Sequence, residues 1–201
     1  MIITVGREFG SGGRELGKRL ADVLDLSYYD REIVTEIAKR TRLDEDYVLE
    51  LLDKNIVRNI PIHFGHTLSY APPVSTPATT VFIEQNKILK EIAEKGNCII
   101  VGRAAGAVLS DYKPFRLFVH ADISSRIKRC QARAENGERI SDKEMEKLIK
   151  RIDAERRRYF EFYSDIPWAD LRNYDLCINT TDKEIKSLVP YVAEYIKFWY
   201  V

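Results

Sequence analysis

Between residues 6 and 14 the chain reads Gly6-Arg7-Glu8-Phe9-Gly10-Ser11-Gly12-Gly13-Arg14, with three glycines in four positions and arginines on either side. Glycines leave backbone N–H groups uncovered, and at a helix N-terminus such groups suit phosphate oxygens. Gly10, Ser11, Gly12, Gly13 and Arg14 are therefore the expected phosphate-binding residues. A Walker A loop reads G-x-x-x-x-G-K-[ST]. With Gly12 as its second glycine, Gly13 falls where the lysine belongs and Arg14 where serine or threonine belongs. One extra backbone step in the loop would let Arg14 supply the missing cation, with the different geometry of a guanidinium fork. The competing reading is a tight strand-to-helix turn that needs glycine only for packing. A dinucleotide fingerprint competes less well, because G-x-G-x-x-G is absent and only Asp30 stands near the end of a second strand.

Other residues suit the same chemistry. Asp30 begins a helix, where its carboxylate either serves a ligand or accepts backbone N–H bonds as an N-cap. Arg103 follows a short apolar run, at the strand end where open α/β sheets bind ligands, and its fork suits a phosphate. In the segment KRIDAERRRYF, Arg151, Glu155 and Arg158 are spaced i, i+4, i+7 and share a helix face beside an apolar stripe, so that the cations can face a cleft. A solvated, salt-bridged helix surface is the bland alternative. No metal site is expected: His63 and His66 are two residues in an irregular stretch, and Cys98, Cys130 and Cys177 lack C-x-x-C spacing. Reduced, buried thiols are the favoured reading of the cysteines.

These residues need a scaffold, and the hydrophobic pattern supplies one. Ile2–Val5, Leu26–Tyr29, Cys98–Val101, Phe115–His120 and Leu176–Asn179 are short apolar runs that read as buried strands. Helical periodicity fills the intervals over Arg14–Leu24, Ile33–Ala38, Asp44–Asp53, Val81–Glu94, Ile123–Ala134, Ser141–Phe162 and Lys183–Phe198. Five strands alternating with helices imply a mainly parallel sheet covered on both faces, an α/β/α sandwich. From Ile56 to Thr80 periodicity fails, with Pro61, Gly65, Pro72, Pro73 and Pro77 present. A structureless stretch of that length is usually functional or mobile.

The chain has 201 residues, enough for one such domain. Its 32 basic and 31 acidic side chains nearly cancel, so no overall field favours nucleic acid or an anionic membrane, and an anion site must be local. The N-terminus lacks a signal-peptide h-region and no run approaches a membrane span, which places the expected location in the cytoplasm.

The segments TVGREFGSGGRELGKRLAD, LSYYDREI, IIVGRAA, RLFVHADISSRIKRCQARAENG and YDLCINTT resemble the cytidylate kinase-like family of P-loop nucleoside monophosphate kinases, over nearly the whole chain. The resemblance implies a P-loop NTPase fold with a helical lid over about 134–158, hinged at Ala134–Gly137, and an acceptor-binding insertion over about 56–80. Phe64 and Tyr70 of that insertion would offer stacking surfaces, or the stretch would serve an oligomer contact. The implied substrates are ATP with Mg²⁺ and a nucleoside monophosphate or similar small acceptor. By resemblance Asp30 lies near the acceptor, where it positions or deprotonates it or orders Mg²⁺ through water, and Arg103 binds the acceptor phosphate. Arg151, Arg156 and Arg158 resemble arginines that act on the transferring phosphoryl group, Glu155 resembles a residue that contacts the acceptor sugar, and Asp153 beside it is assigned to the acceptor too. The relatives carry Asp-Gly-Arg-Asp where this chain has Val101-Gly102-Arg103-Ala104, which opens the identity of the acceptor. A non-catalytic nucleotide or phosphate sensor is the alternative function, and a homodimer is left open.

Overall fold

The computed structural model of the protein describes residues 1–52, 76–133 and 140–201. Strands β1 (Ile2–Arg7), β2 (Ser27–Tyr29), β3 (Cys98–Val101), β4 (Phe115–His120) and β5 (Leu176–Asn179) form one five-stranded sheet in the order β2-β3-β1-β4-β5. Every pairing is parallel, with Ile3 beside both Ile99 and Phe115. The carboxyl end of the central β1 therefore opens between the loops that follow β3 and β4.

Helices α1 (Gly13–Leu24), α2 (Glu32–Thr41), α3 (Glu45–Glu50), α4 (Pro77–Lys95), α5 (Ala105–Val108), α6 (Ile123–Arg133), α7 (Asp142–Glu161) and α8 (Ile185–Trp199) surround the sheet. Side chains alternate across a strand. In β3 this sends Cys98 and Ile100 into a core shared with Ile33, Ile37, Val81 and Leu89 of α2 and α4. Ile99 and Val101 enter the opposite core, with Leu16 and Leu20 of α1 and Val189 and Ile196 of α8. Leu16, Leu20 and Ile196 are fully buried, each stabilising the fold by about 1.5–3 kcal/mol relative to exposure. The expected α/β/α sandwich with a five-stranded parallel sheet is the observed architecture. A smaller cluster of Ile127, Met145 and Ile149, with Phe9 against it, ties α6 and α7 to the glycine turn.

One boundary differs from expectation. The chain becomes helical at Pro77 rather than after Thr80, because the Thr76 hydroxyl accepts the Thr79 N–H at 3.2 Å and Pro77 occupies the first turn, where no N–H is needed. The short helix α5 and the 3₁₀ turns Ser110–Tyr112 and Leu171–Asn173 have no sequence counterpart in the periodicity. The expected hinge at Ala134–Gly137, with His63, Phe64, His66 and Tyr70, lies outside the described residues, as does the expected insertion up to residue 75. No described helix is long and apolar enough to cross a membrane.

Candidate active site

The glycine turn links β1 to α1 and is fixed from beneath. The Glu8 N–H donates to the Val119 carbonyl of β4 at 3.0 Å, the Ser11 hydroxyl donates to the Glu8 carbonyl at 2.9 Å, and the Thr180 hydroxyl donates to the Ser11 carbonyl at 2.7 Å. Arg126 of α6, almost fully buried, donates from Nε to the Phe9 carbonyl at 2.7 Å and pairs with both Asp153 and Glu8. Asp153 in turn accepts the Phe9 N–H at 2.7 Å. Asp153, expected at the acceptor, is thus engaged in bracing the turn and lies outside the cavity lining.

Gly12 caps α1 with φ 86° and no side-chain bond to the helix amides. A Cβ there would lie 2.3 Å from Ile185 Cδ1, so both the left-handed backbone and the contact with α8 require glycine. Elsewhere Asp44 caps α3, Thr76 caps α4, and Ser141 with Glu144 forms a capping box on α7. Among the described residues the first amides of α1 have neither an intrahelical acceptor nor a side-chain one, and the helix dipole adds partial positive charge at that point. An anion is what completes such an end.

Beside the turn, over the carboxyl ends of β1, β2 and β3, lies a cavity of about 790 Å³. Its lining includes the charged side chains of Arg7, Arg14, Arg103, Arg156, Asp30 and Glu155. Tyr159, Phe160, Tyr163, Trp168 and Tyr174 also line it. The Asp30 carboxylate is held by Arg14 Nε at 2.5 Å and faces Arg7 Nη2 at 3.7 Å. It does not cap α2, whose N-cap residue is Arg31, with no side-chain cap bond. Two guanidinium groups give the carboxylate a stronger interaction than helix amides would. The Arg14 side chain is therefore directed to Asp30 at the end of β2, whereas the sequence suggested it for the glycine turn.

Gly102, Arg103 and Ala104 take successive left-handed conformations, with φ of 82°, 56° and 49°. Non-glycine residues in that region carry strain of about 1–3 kcal/mol each, which clusters where a side chain must be aimed. Here the turn carries Arg103 from the end of β3 to the cavity wall. Arg156 of α7 donates to the Arg7 carbonyl at 3.0 Å and lies over the Phe9 ring with 5.5 Å to its centroid. The cavity-facing stripe of α7 is Ile152, Glu155, Arg156, Tyr159 and Phe160. Arg151 and Arg158 sit one position off that stripe and are exposed outside the lining.

Arg7 was not among the residues singled out from sequence. Its side chain is only 13% exposed, and burial, then the charge of Arg156, pushes its pKa down to about 9 against the pull of Asp30. The available signal was its place in the Walker register, where it stands at the first glycine. Tyr28 donates to the Arg14 carbonyl at 3.5 Å, and burial and then Asp30 raise its phenol to about 12, so it stays neutral. Burial also raises the Cys130 thiol beneath Gly10, which argues against a thiolate nucleophile. Among the described residues no three His, Cys, Asp or Glu side chains cluster as metal ligands.

A parallel sheet with this glycine turn, and arginines converging at its strand ends, is the frame in which similarity to known proteins can be placed. The cytidylate kinase-like family model matches residues 2–182. The chain belongs to that family. Among curated proteins, this family member is 31% identical over 199 residues to the cytidylate kinase of Methanococcus maripaludis, covering 98% of this chain and 97% of the relative. It is 24% identical over 197 residues to the cytidylate kinase of Staphylothermus marinus, covering 98% and 97%. Among solved structures, a protein from Eubacterium ventriosum superposes with a TM-score of 0.70 at 27% identity, covering 98% of each chain. Shikimate kinase from Bacteroides thetaiotaomicron superposes at 0.59 with 15% identity and 97% coverage of each chain, a likeness of fold.

Proposed function

We propose that this family member is a phosphotransferase that moves the γ-phosphoryl group of ATP to a nucleoside monophosphate or a small acceptor of similar chemistry. The observation that carries the reading is the convergence of Arg7, Arg14, Arg103 and Arg156 on one cavity beside the uncapped N-terminus of α1. Phosphoryl transfer needs positioning and neutralisation of charge spread over the equatorial oxygens, and little covalent chemistry from the protein. Amides from Gly10 to Arg14 hold the donor phosphates, and Arg103 takes the acceptor phosphate with its fork. Arg156, fixed by the Arg7 carbonyl, faces the group in flight, and Glu155 is placed for the acceptor sugar. Arg151 and Arg158, exposed and outside the cavity lining, are given no role in this reading.

The reaction is an in-line displacement at phosphorus. An acceptor oxygen forms the new P–O bond while the bond to the β-phosphate oxygen breaks and ADP departs. A monophosphate oxygen is already ionised, and Asp30 then only orients Arg7 and Arg14. For a hydroxyl acceptor, Asp30 is the carboxylate available to take the proton. The described side chains do not form a Mg²⁺ cage, since Asp30 is occupied by two arginines and Arg14 stands where Walker A places its hydroxyl. Mg²⁺ would enter with the donor as MgATP and neutralise charge on its phosphates.

The absent Walker lysine favours a second reading, a nucleotide sensor without turnover. Incubation with labelled MgATP and a panel of cytidine, uridine, adenosine and guanosine monophosphates separates the two. A labelled nucleoside diphosphate is expected, whereas stoichiometric ATP binding with no labelled product from any acceptor supports the sensor.

A further inference from the structure

Position 13 has no room for a lysine. A Cβ at Gly13 would lie 2.6 Å from Arg7 Cβ and 3.2 Å from both Arg7 Cγ and Val119 Cβ, so the Arg7 stem makes the closest contact in the space into which a side chain at position 13 would start. The reverse holds in the Walker register, where Arg7 occupies the site of the first glycine and Gly13 that of the lysine. The two departures from the motif thus occupy one volume and compensate each other. Further along the same side chain, a Cβ at Gly102 would lie 1.9 Å from Arg7 Nη1, so β3 also ends on a glycine that leaves the guanidinium room.

The guanidinium has five N–H donors. Among the described residues it forms the 3.7 Å ion pair with Asp30 and no hydrogen bond. Arg14 makes the closer pair with that carboxylate, at 2.5 Å, although its own side chain is 60% exposed. A buried guanidinium serving only as counter-ion to Asp30 would be expected to hold the short bond itself. Charged donors left without protein acceptors in a largely buried place are costly, and an anionic ligand in the cavity that accepts them recovers that cost. The side chain lies on the cavity wall, running from Gly13 of the glycine turn to Gly102 after β3.

Resting on the phosphotransferase reading above, we infer that Arg7 replaces the Walker lysine: its guanidinium contacts the terminal phosphates of the donor, and the chain carries this cation on β1 instead of on α1. Arg14, which the sequence offered for that role, serves Asp30.

The test is an exchange of the two positions, read by kcat, by KM and by the calorimetric affinity for MgATP in wild type, Arg7→Gly and Arg7→Gly/Gly13→Lys, with melting temperatures for all three. Arg7→Gly is expected to bind MgATP about tenfold more weakly or worse, the scale of one lost charge-assisted hydrogen bond. Its kcat is expected to fall about a hundredfold or more, as for removal of a group facing transition-state charge. The double variant should regain at least tenfold in both. The inference is overturned if Arg7→Gly stays within threefold of wild type in both, or if a folded double variant is no better than the single. A double variant that fails to fold overturns it too, since the shared volume is part of the claim. If wild type turns over no acceptor, the phosphotransferase reading fails and MgATP affinity alone decides the role of Arg7.

Discussion

Arg103 is presented by a backbone that few side chains accept, in a left-handed turn directly after β3. Its proposed task is to grip the acceptor phosphate with two parallel bonds, which a lysine cannot reproduce. Arg103→Met is expected to raise the acceptor KM roughly ten- to a hundredfold, with a smaller effect on the KM for ATP, in steady-state assays. Equal losses for both substrates would place Arg103 elsewhere. Gly102→Ala tests the same turn from its other side: the added methyl meets Arg7 Nη1, and φ is 82°. Turnover should fall while far-UV circular dichroism is retained. At this scale the sequence was informative about residue type and less so about direction. Asp30, Arg103, Glu155 and Arg156 were legible and share one cavity. Arg14 pairs with Asp30 and Asp153 braces Phe9, partners that sequence spacing cannot specify because each lies on a different element. Arg7 was hidden by its neighbours, since attention to glycines in a phosphate loop passes over a cation standing where one of them belongs.

The strand-turn-helix unit is supported by elements distant in sequence. Arg126 on α6 and Asp153 on α7 hold the backbone of Phe9 from both its carbonyl and its N–H. Arg126→Met would leave Asp153 and Glu8 without their buried partner. The expected cost is about 3–5 kcal/mol in chemical denaturation, the range for breaking one side of a buried ion pair. A loss below about 1 kcal/mol, as for a surface pair, would show that the network does not brace the turn. Gly12→Ala adds a methyl against Ile185 and imposes a left-handed alanine, so weaker MgATP binding and lower stability are expected together. Strands were legible as short apolar runs, buried on both faces of a parallel sheet, and the long helices by a 3.6-residue period sustained over their length. Helix α5, four residues long, follows two left-handed residues and has no period to read. Pro77 opens α4 although it follows several prolines of an irregular stretch, since proline marks a helix start as readily as a break in periodicity.

The whole chain is nearly neutral, with 32 basic and 31 acidic residues, yet six arginines, Arg7, Arg14, Arg31, Arg103, Arg116 and Arg156, line one cavity. Composition excluded a global field and could not locate this local one, which arises when loops after separate strands converge. Mutual repulsion among those arginines in the absence of an anion predicts that anions stabilise the fold. Pyrophosphate or MgATP should raise the melting temperature well beyond sodium chloride of equal ionic strength, by about 2.7 kcal/mol in stability at a hundredfold excess over Kd. Equal shifts from chloride would indicate screening alone. Phosphoryl transfer itself is tested most directly by single-turnover transfer of label from γ-labelled MgATP, with enzyme in excess and each nucleoside monophosphate supplied in turn. Label should appear in the diphosphate of at least one acceptor and be lost with Arg103→Met. Quantitative binding of MgATP with every count remaining in ATP would contradict the assignment.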